Sequence, residues 1–235
     1  MAEKDDEKAF DLFEVLAASL LGLGAVGAAL AGYQNGLWGG TMTDNYSLSA
    51  ASNTKGSALY SEELSEEISD AQANLRAKEL TWSALESDNE ELRARNFEMA
   101  SWIYVSQMSN PGYAALKLPA PARQAYEEKG EDQVFSVEQL EAALERDLDE
   151  DDSYENALYA GSKAEFAKAE GLLEEARKAN TTGDQFALAG VIQTIGLFFA
   201  GLALVFRTGI RWGFLGAGSV VFISGLVYML RLPWL

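Results

Sequence analysis

Val15-Leu-Ala-Ala-Ser-Leu-Leu-Gly-Leu-Gly-Ala-Val-Gly-Ala-Ala-Leu-Ala-Gly-Tyr33 is a run of nineteen residues without a charge. At about 1.5 Å per residue, a helix of that length just crosses a hydrocarbon core about 30 Å thick. A secretory signal is the rival reading, because Ala29-Leu30-Ala31 resembles a cleavage site. The flank opposes it: Glu3-Lys4-Asp5-Asp6-Glu7-Lys8 is net acidic where a signal is basic. The run is therefore expected to remain as a first membrane span, TM1 (15–33), behind an acidic tail (1–14).

Two further apolar runs follow near the other end, TM2 (186–206) and TM3 (212–230), with a short tail at 231–235. Their link, Arg207-Thr-Gly-Ile-Arg211, is short enough to force a helical hairpin. Asp184 after Gly183 is placed to cap TM2. Trp38, Trp212 and Trp234 lie at or just outside the apolar runs, where interfacial anchors belong.

Between the spans lies a long polar segment, 34–185. From Gln34 to Phe186 there are 30 Asp plus Glu against 13 Lys plus Arg, so this stretch holds about −17 of the net −18. A mean hydropathy of −0.09 is an average of very apolar ends and a very polar middle. Such a field repels nucleic acid and anionic headgroups, and attracts cations and basic partners. Solubility of the segment alone also accounts for it. The chain has no Cys and no His, which removes disulfides, thiolates, His- or Cys-based zinc sites and every Ser-His or Cys-His catalytic pair. Paired carboxylates such as Glu66 and Glu67 are too abundant to mark a catalytic site. No enzyme, cofactor or metal is expected.

Inside the acidic segment, Gln34-Asn-Gly-Leu-Trp-Gly-Gly40 reads as a Gly-rich connector. Beyond it, Leu64, Ile68, Ala71, Leu75, Lys78, Trp82, Leu85, Asn89, Leu92, Asn96, Met99 and Ile103 alternate in steps of four and three. That is a coiled-coil-like seam of about five to six heptads, ended at Asn110-Pro111-Gly112 by turn chemistry. A single long amphipathic helix with another partner satisfies the same pattern. Pro119 and Pro121 keep the next stretch irregular, and Ser136 with Gln139 reads as a capping box opening a second helical pattern. An acidic helical hairpin is expected. Asp147, Asp149 and Asp151 match the first positions of a calcium loop, but Asp152 and Leu158 stand where Gly and Glu are needed. A solvated acidic bend is the better reading.

Function is bracketed by the spans. Gly24, Ala28 and Gly32, with Ala18 and Gly22, recur at four-residue spacing, which lets helix backbones approach in lipid. The contact is either with another copy or with the chain's own spans. No ionisable residue lies near the middle of a span, so proton relays and ion-coupled carriers are disfavoured. Glu14 at one edge, and Gln193, Thr194, Ser219 and Ser224 inside, are the candidates for interhelical polar contacts or a pore lining. Lys4, Lys8, Arg207 and Arg211 place the N-terminus and the link in the cytoplasm, with the acidic segment outward. Arg177, Lys178 and Arg231 pull weakly the other way.

The stretch Ala179-Asn-Thr-Thr-Gly-Asp-Gln-Phe-Ala-Leu-Ala-Gly-Val-Ile-Gln-Thr-Ile-Gly-Leu-Phe-Phe-Ala-Gly-Leu-Ala203 resembles the entry to the C-terminal hairpin of small uncharacterised prokaryotic membrane proteins. That resemblance covers about the last third of the chain, and it implies a multi-pass protein of a prokaryotic cytoplasmic membrane. The order of one span, a helical domain and two spans is also similar to that of pentameric ion-driven stator subunits of the ExbB and TolQ kind. Those have longer second and third spans and a cytoplasmic helical domain.

The expected fold class is an all-α integral membrane protein with three spans and an acidic helical domain between the first and second. Two functions remain: a homo-oligomeric membrane scaffold that presents the acidic domain to a protein partner or to cations, and an oligomeric cation channel or stator-like pore.

Overall fold

A computed structural model describes residues 12–119, 135–150, 152–206 and 209–235. Among these residues every regular element is a helix: α1 (Leu12–Glu86), α2 (Glu90–Gln107), α3 (Asn110–Ala115), α4 (Val137–Leu144), α5 (Ser153–Leu158), α6 (Ala160–Val205) and α7 (Ile210–Leu230). Three of them, α1, α6 and α7, contain windows long and apolar enough to cross a membrane, with mean hydropathies of 2.0, 2.1 and 1.8. The chain divides into two compact units, Met1–Ser49 with Glu170–Leu235, and Ala50–Ala169.

The first unit holds the three apolar stretches. Each turns a seam of small or aromatic residues inward. On α1 it is Phe13, Ala17, Leu20, Gly24, Gly27, Ala31, Gln34 and Trp38, in alternating steps of four and three. On α6 it is Phe186, Ala189, Gln193, Gly196, Ala200 and Ala203, and on α7 Leu215, Gly218, Phe222, Gly225 and Met229. Seven-residue seams of this kind suit shallow, coiled-coil-like crossings. Outside the seams stand exposed Leu, Val, Ile and Phe side chains: Leu23, Val26, Val191, Phe198, Val220 and Ile223 among them. An apolar exterior around a small-residue interior fits lipid better than water.

The α6–α7 contact is backbone on backbone. A Cβ on Gly218 would lie 2.9 Å from the Gly196 carbonyl oxygen, and one on Gly196 would lie 3.1 Å from the Gly218 carbonyl oxygen. Only glycine at both positions allows that approach. The expected Gly-rich connector at 34–40 is not there, because α1 runs straight through it. Helical glycine costs up to about 1 kcal/mol each, and tertiary contacts offset this. Gln34 exchanges two hydrogen bonds with the backbone of Leu235, at 3.2 and 3.1 Å, and Trp38 Nε1 donates to the Pro233 carbonyl at 3.1 Å. Asp184 likewise lies within α6 instead of capping it, and accepts from Asn180 Nδ2 at 3.3 Å.

In the second unit the long heptad helix is corrected. α1 ends at Glu86, and the chain reverses through 87–89. Asn89, expected in the seam, is the N-cap of α2, its Oδ1 accepting from the N–H groups of Glu91 and Leu92 at 3.0 and 3.2 Å. α2 then runs back along α1, with Asn96 on Ser83 near the bend and Tyr104 on Asn74 further from it. The buried face of α1 is not the Leu-rich one. Asp70, Ala73, Asn74, Ala77, Thr81 and Ala84 are inside, whereas Leu64, Ile68, Leu75, Trp82 and Leu85 are exposed. Small side chains let the other elements close in, and Phe97, Tyr104, Tyr113, Leu116, Phe135 and Leu140 fill the core from them. α2 packs on α4, and α3 on α5.

Asn110-Pro111-Gly112 starts a helix instead of ending one: Ser109 caps α3, with Pro111 in its first turn, where a missing N–H costs nothing. The capping box on α4 is present, Ser136 and Gln139 each meeting the other's backbone N–H. The irregular stretch expected after Pro119 lies largely outside the described residues. So do Asp151 of the calcium-loop match and Arg207–Thr208 of the link. Pro121 falls there too.

α3 closes with a Schellman motif. Leu118 N–H bonds the Tyr113 carbonyl at 2.9 Å and Lys117 N–H the Ala114 carbonyl at 3.1 Å. The residue in the left-handed position is Lys117, at φ 52°, where glycine is the usual choice. Lys117→Gly is expected to stabilise this unit by about 0.5–1 kcal/mol. Chemical denaturation of the full chain in detergent would register it as a raised midpoint.

Candidate functional site

The second unit is organised around a buried carboxylate. Asp70 on α1 is fully buried. Its Oδ1 accepts the Ser109 N–H at 2.7 Å, and its Oδ2 accepts the hydroxyls of Ser109 and Tyr154, the latter at 3.0 Å. Ser109 Oγ in turn accepts the Gly112 N–H at 3.1 Å. A Cβ on Gly112 would stand 3.0 Å from Asp70 Oδ2 and closer still to Met108 Sδ, which explains the glycine. This knot fixes α3 and α5 against α1, and so sets the walls of two grooves at the surface.

The first groove, about 450 Å³, lies between α1 and the start of α6 and is lined by Tyr60, Leu64, Glu67, Glu155, Tyr159, Ser162, Lys163 and Phe166. The second, about 390 Å³, shares Glu67 and Glu155 with it and continues over Ala71, Asn74, Leu75, Lys78, Asp147, Leu148, Asp149 and Tyr154. Tyr159 donates its hydroxyl to Glu67 Oε2 at 2.5 Å and stacks on Tyr60 with ring centroids 5.3 Å apart. Behind the first groove, buried Glu63 accepts the Ser162 N–H through Oε1 at 3.0 Å, and its Oε2 has no hydrogen-bond partner. Lys78 also lines the second groove. It bonds Asp147 at 2.8 Å and the Arg146 carbonyl at 2.6 Å.

The field in the grooves is negative, and the tyrosines register it. The Glu67 hydrogen bond, then burial, then the Glu67 charge raise the Tyr159 pKa well above the ordinary tyrosine value. Burial, then the charge and hydrogen bond of Asp70, and then the Glu67 charge raise Tyr154 as well. Both stay neutral donors. Among the described residues no three His, Cys, Asp or Glu converge as metal ligands. The grooves could not be read from the sequence, because Glu67 on α1 meets Glu155 on α5 and Tyr159 in the turn after it only once the unit is folded. The only available signal was an excess of tyrosine among carboxylates.

The polar residues singled out in the apolar stretches do not gather on one axis. Thr194, Ser219 and Ser224 each donate to the carbonyl four residues earlier in their own helix, at 2.8 Å in every case. Thr194 and Ser224 are exposed and Ser219 is half-buried. Gln193 is fully buried. Its Nε2 lies 3.6 Å from Met229 Sδ, and its Oε1 is wedged against Gly27, where a Cβ would come within 2.2 Å. Glu14 is exposed in the first turn of α1, where the helix dipole favours an acid. The small-residue stripe also splits. A Cβ on Gly24 would clash with Leu197 and touch Phe222 of the same chain, and the Ala28 carbonyl lies 3.8 Å from a Cβ built on Gly190. Ala18, Gly22 and Gly32 are exposed, and a Cβ on either glycine would meet nothing within 4 Å. Gly27 and Ala31 belong to the packed seam and were not in the stripe.

No family model, no curated protein and no solved structure matches this chain.

Proposed function

We propose that the protein is a non-enzymatic integral membrane scaffold, homo-oligomeric, whose three spans anchor an acidic helical unit that does the recognising. One observation carries this reading over a pore. The hydroxyls inside the apolar stretches are satisfied by their own helices, and Gln193 is packed between Gly27, Gly225 and Met229. Hydroxyls so arranged need no water, and the one polar atom in the set without a partner, the buried Gln193 Oε1, is packed against Gly27, whereas conduction needs converging polar groups or carbonyls. The recognition chemistry is concentrated in the acidic unit, whose exposed Leu64, Ile68, Leu75 and Trp82 face outward beside unpaired carboxylates.

The Lys and Arg distribution supports an orientation with that unit on the outer side of the membrane. A Cys introduced as Ser87→Cys is expected to react with an impermeant thiol reagent on intact cells, and Gly209→Cys to stay unreacted until the cells are lysed. The reverse pattern would turn the unit inward and remove an outward-facing scaffold. The exposed small residues Ala18, Gly22 and Gly32 supply the oligomer contact in this reading. Gly22→Leu should then lower the assembly mass seen by native mass spectrometry, while leaving each protomer folded.

A further inference from the structure

The face of α1 that carries Leu64, Ile68, Leu75, Trp82 and Leu85 stays outside the core of its own unit. These side chains are between 38% and 61% exposed. They follow one another in steps of four and three, through Ala71 and Lys78, so they hold a heptad period. A straight α-helix drifts about 20° per heptad against such a repeat, and a left-handed supercoil with a second helix keeps the strip in contact. The same steps taken back along α1 from Ser61 to Gly36 meet only Gly, Ala, Ser and Thr, every one of them exposed. Within the strip, then, no bulky side chain bars a second helix there. No Asp or Glu of α1 after Gln34 falls in the strip, although the segment is strongly acidic. Its one charge, Lys78, is drawn aside by Asp147 at 2.8 Å and the Arg146 carbonyl at 2.6 Å.

We infer that this face of α1 pairs in parallel with the same face of a second copy of the chain. The inference deepens the proposed function: it rests on the homo-oligomeric reading and names what the exposed Leu64–Leu85 face recognises. Two copies held in one membrane by the same N-terminal span present α1 in the same direction. That confinement also raises the effective concentration of one helix for the other. Charge then selects the register. In an in-register parallel pair, the residues before Ile68, Leu75 and Trp82 lie across from those after Ala71, Lys78 and Leu85 of the second copy. This sets Glu67 against Gln72, Asn74 against Glu79 and Thr81 against Glu86, so no carboxylate meets another. A slip of one heptad would face Glu67 with Glu79 and lose that match.

The chain has no Cys, so single-Cys variants report this contact without background. Ser61→Cys, Ile68→Cys, Leu75→Cys and Trp82→Cys are to be oxidised with copper phenanthroline in the full chain in proteoliposomes. Each is expected to form a disulfide-linked dimer about tenfold faster than Glu66→Cys and Arg76→Cys, which are exposed on other faces of α1, because only close Cβ pairs can bridge. Leu75→Glu, a change at a side chain 61% exposed, should slow linking of Ile68→Cys about tenfold and leave the circular dichroism spectrum unchanged. Linking at one of the four strip positions alone would mean an antiparallel pair and would overturn the proposal. So would control rates at every strip position. If native mass spectrometry then still showed an oligomer, the homo-oligomeric reading would stand and the face would pass to a helix of another protein. A monomeric mass would remove that reading as well. Fast linking along the strip, with the mass unmoved by Gly22→Leu, would uphold the pairing and remove only the contact assigned to the spans.

Discussion

Asp70→Ala is expected to destabilise the acidic unit by about 3–5 kcal/mol, the largest effect of any single change outside the spans. The carboxylate accepts one N–H and two hydroxyls in a fully buried setting. Removing it leaves the Ser109 N–H and the Tyr154 hydroxyl without a partner and opens a void beneath α3. A lost hydrogen bond to a charged group costs about 1.5–3 kcal/mol, and each buried group left unsatisfied adds about 1–3. Asp70→Asn fills the volume and keeps one oxygen for the Ser109 N–H. Its NH2 would face a Ser109 oxygen already engaged with Gly112. It should fall between the two, near 1–3 kcal/mol. Urea unfolding of the full chain in detergent, followed by far-UV circular dichroism, gives the values. An alanine variant within 1 kcal/mol of the natural protein would show that the knot is not what fixes α3 and α5.

Gly218→Leu is the corresponding change in the spans. Its first carbon already meets the Gly196 carbonyl oxygen at 2.9 Å, the Ala200 nitrogen at 3.2 Å and Phe199 Cβ at 3.2 Å. Two of those three atoms are backbone, so relief requires α6 and α7 to separate along their whole contact. Overpacking costs about 1–3 kcal/mol where side chains can shift, and more where they cannot. A loss of at least about 3 kcal/mol is expected here, with increased proteolysis of the hairpin. Gly216→Leu in the same helix is the control, since nothing lies within 4 Å of its would-be Cβ. Equal losses in the two variants would mean that the α6–α7 crossing is not a glycine contact.

Much of the fold was legible because helices long and apolar enough to cross a membrane obey simple rules. Nineteen uncharged residues and a short link between two further runs were enough to place the three apolar stretches. The capping box at Ser136 and Gln139 was legible for a similar reason, because it is local chemistry. Where local signals met tertiary contacts, the contacts won. Glycines at 36, 39 and 40 read as a connector, yet Gln34 and Trp38 hold that stretch helical through the backbone at 233–235. The heptad of Leu64, Ile68, Leu75, Trp82 and Leu85 is a real periodicity, but it marks the exposed face of α1. Hydrophobic spacing identifies an amphipathic helix without saying which side closes on the core. Here a buried carboxylate with three donors settled it in favour of the Asp70 side. The grooves were illegible for a different reason: Glu67, Glu155 and Tyr159 meet only because α5 and the start of α6 are pinned to α1.

The claim that the spans form a packed anchor and not a conduit is tested most directly by electrical recording. Purified protein reconstituted in planar bilayers at low and high potassium chloride should give no single-channel steps, because Gln193 is sealed in the bundle and the neighbouring hydroxyls are bonded within their own helices. Reproducible cation-selective openings, reversed in preference by Glu14→Lys or abolished by Gln193→Leu, would contradict the account and establish a pore.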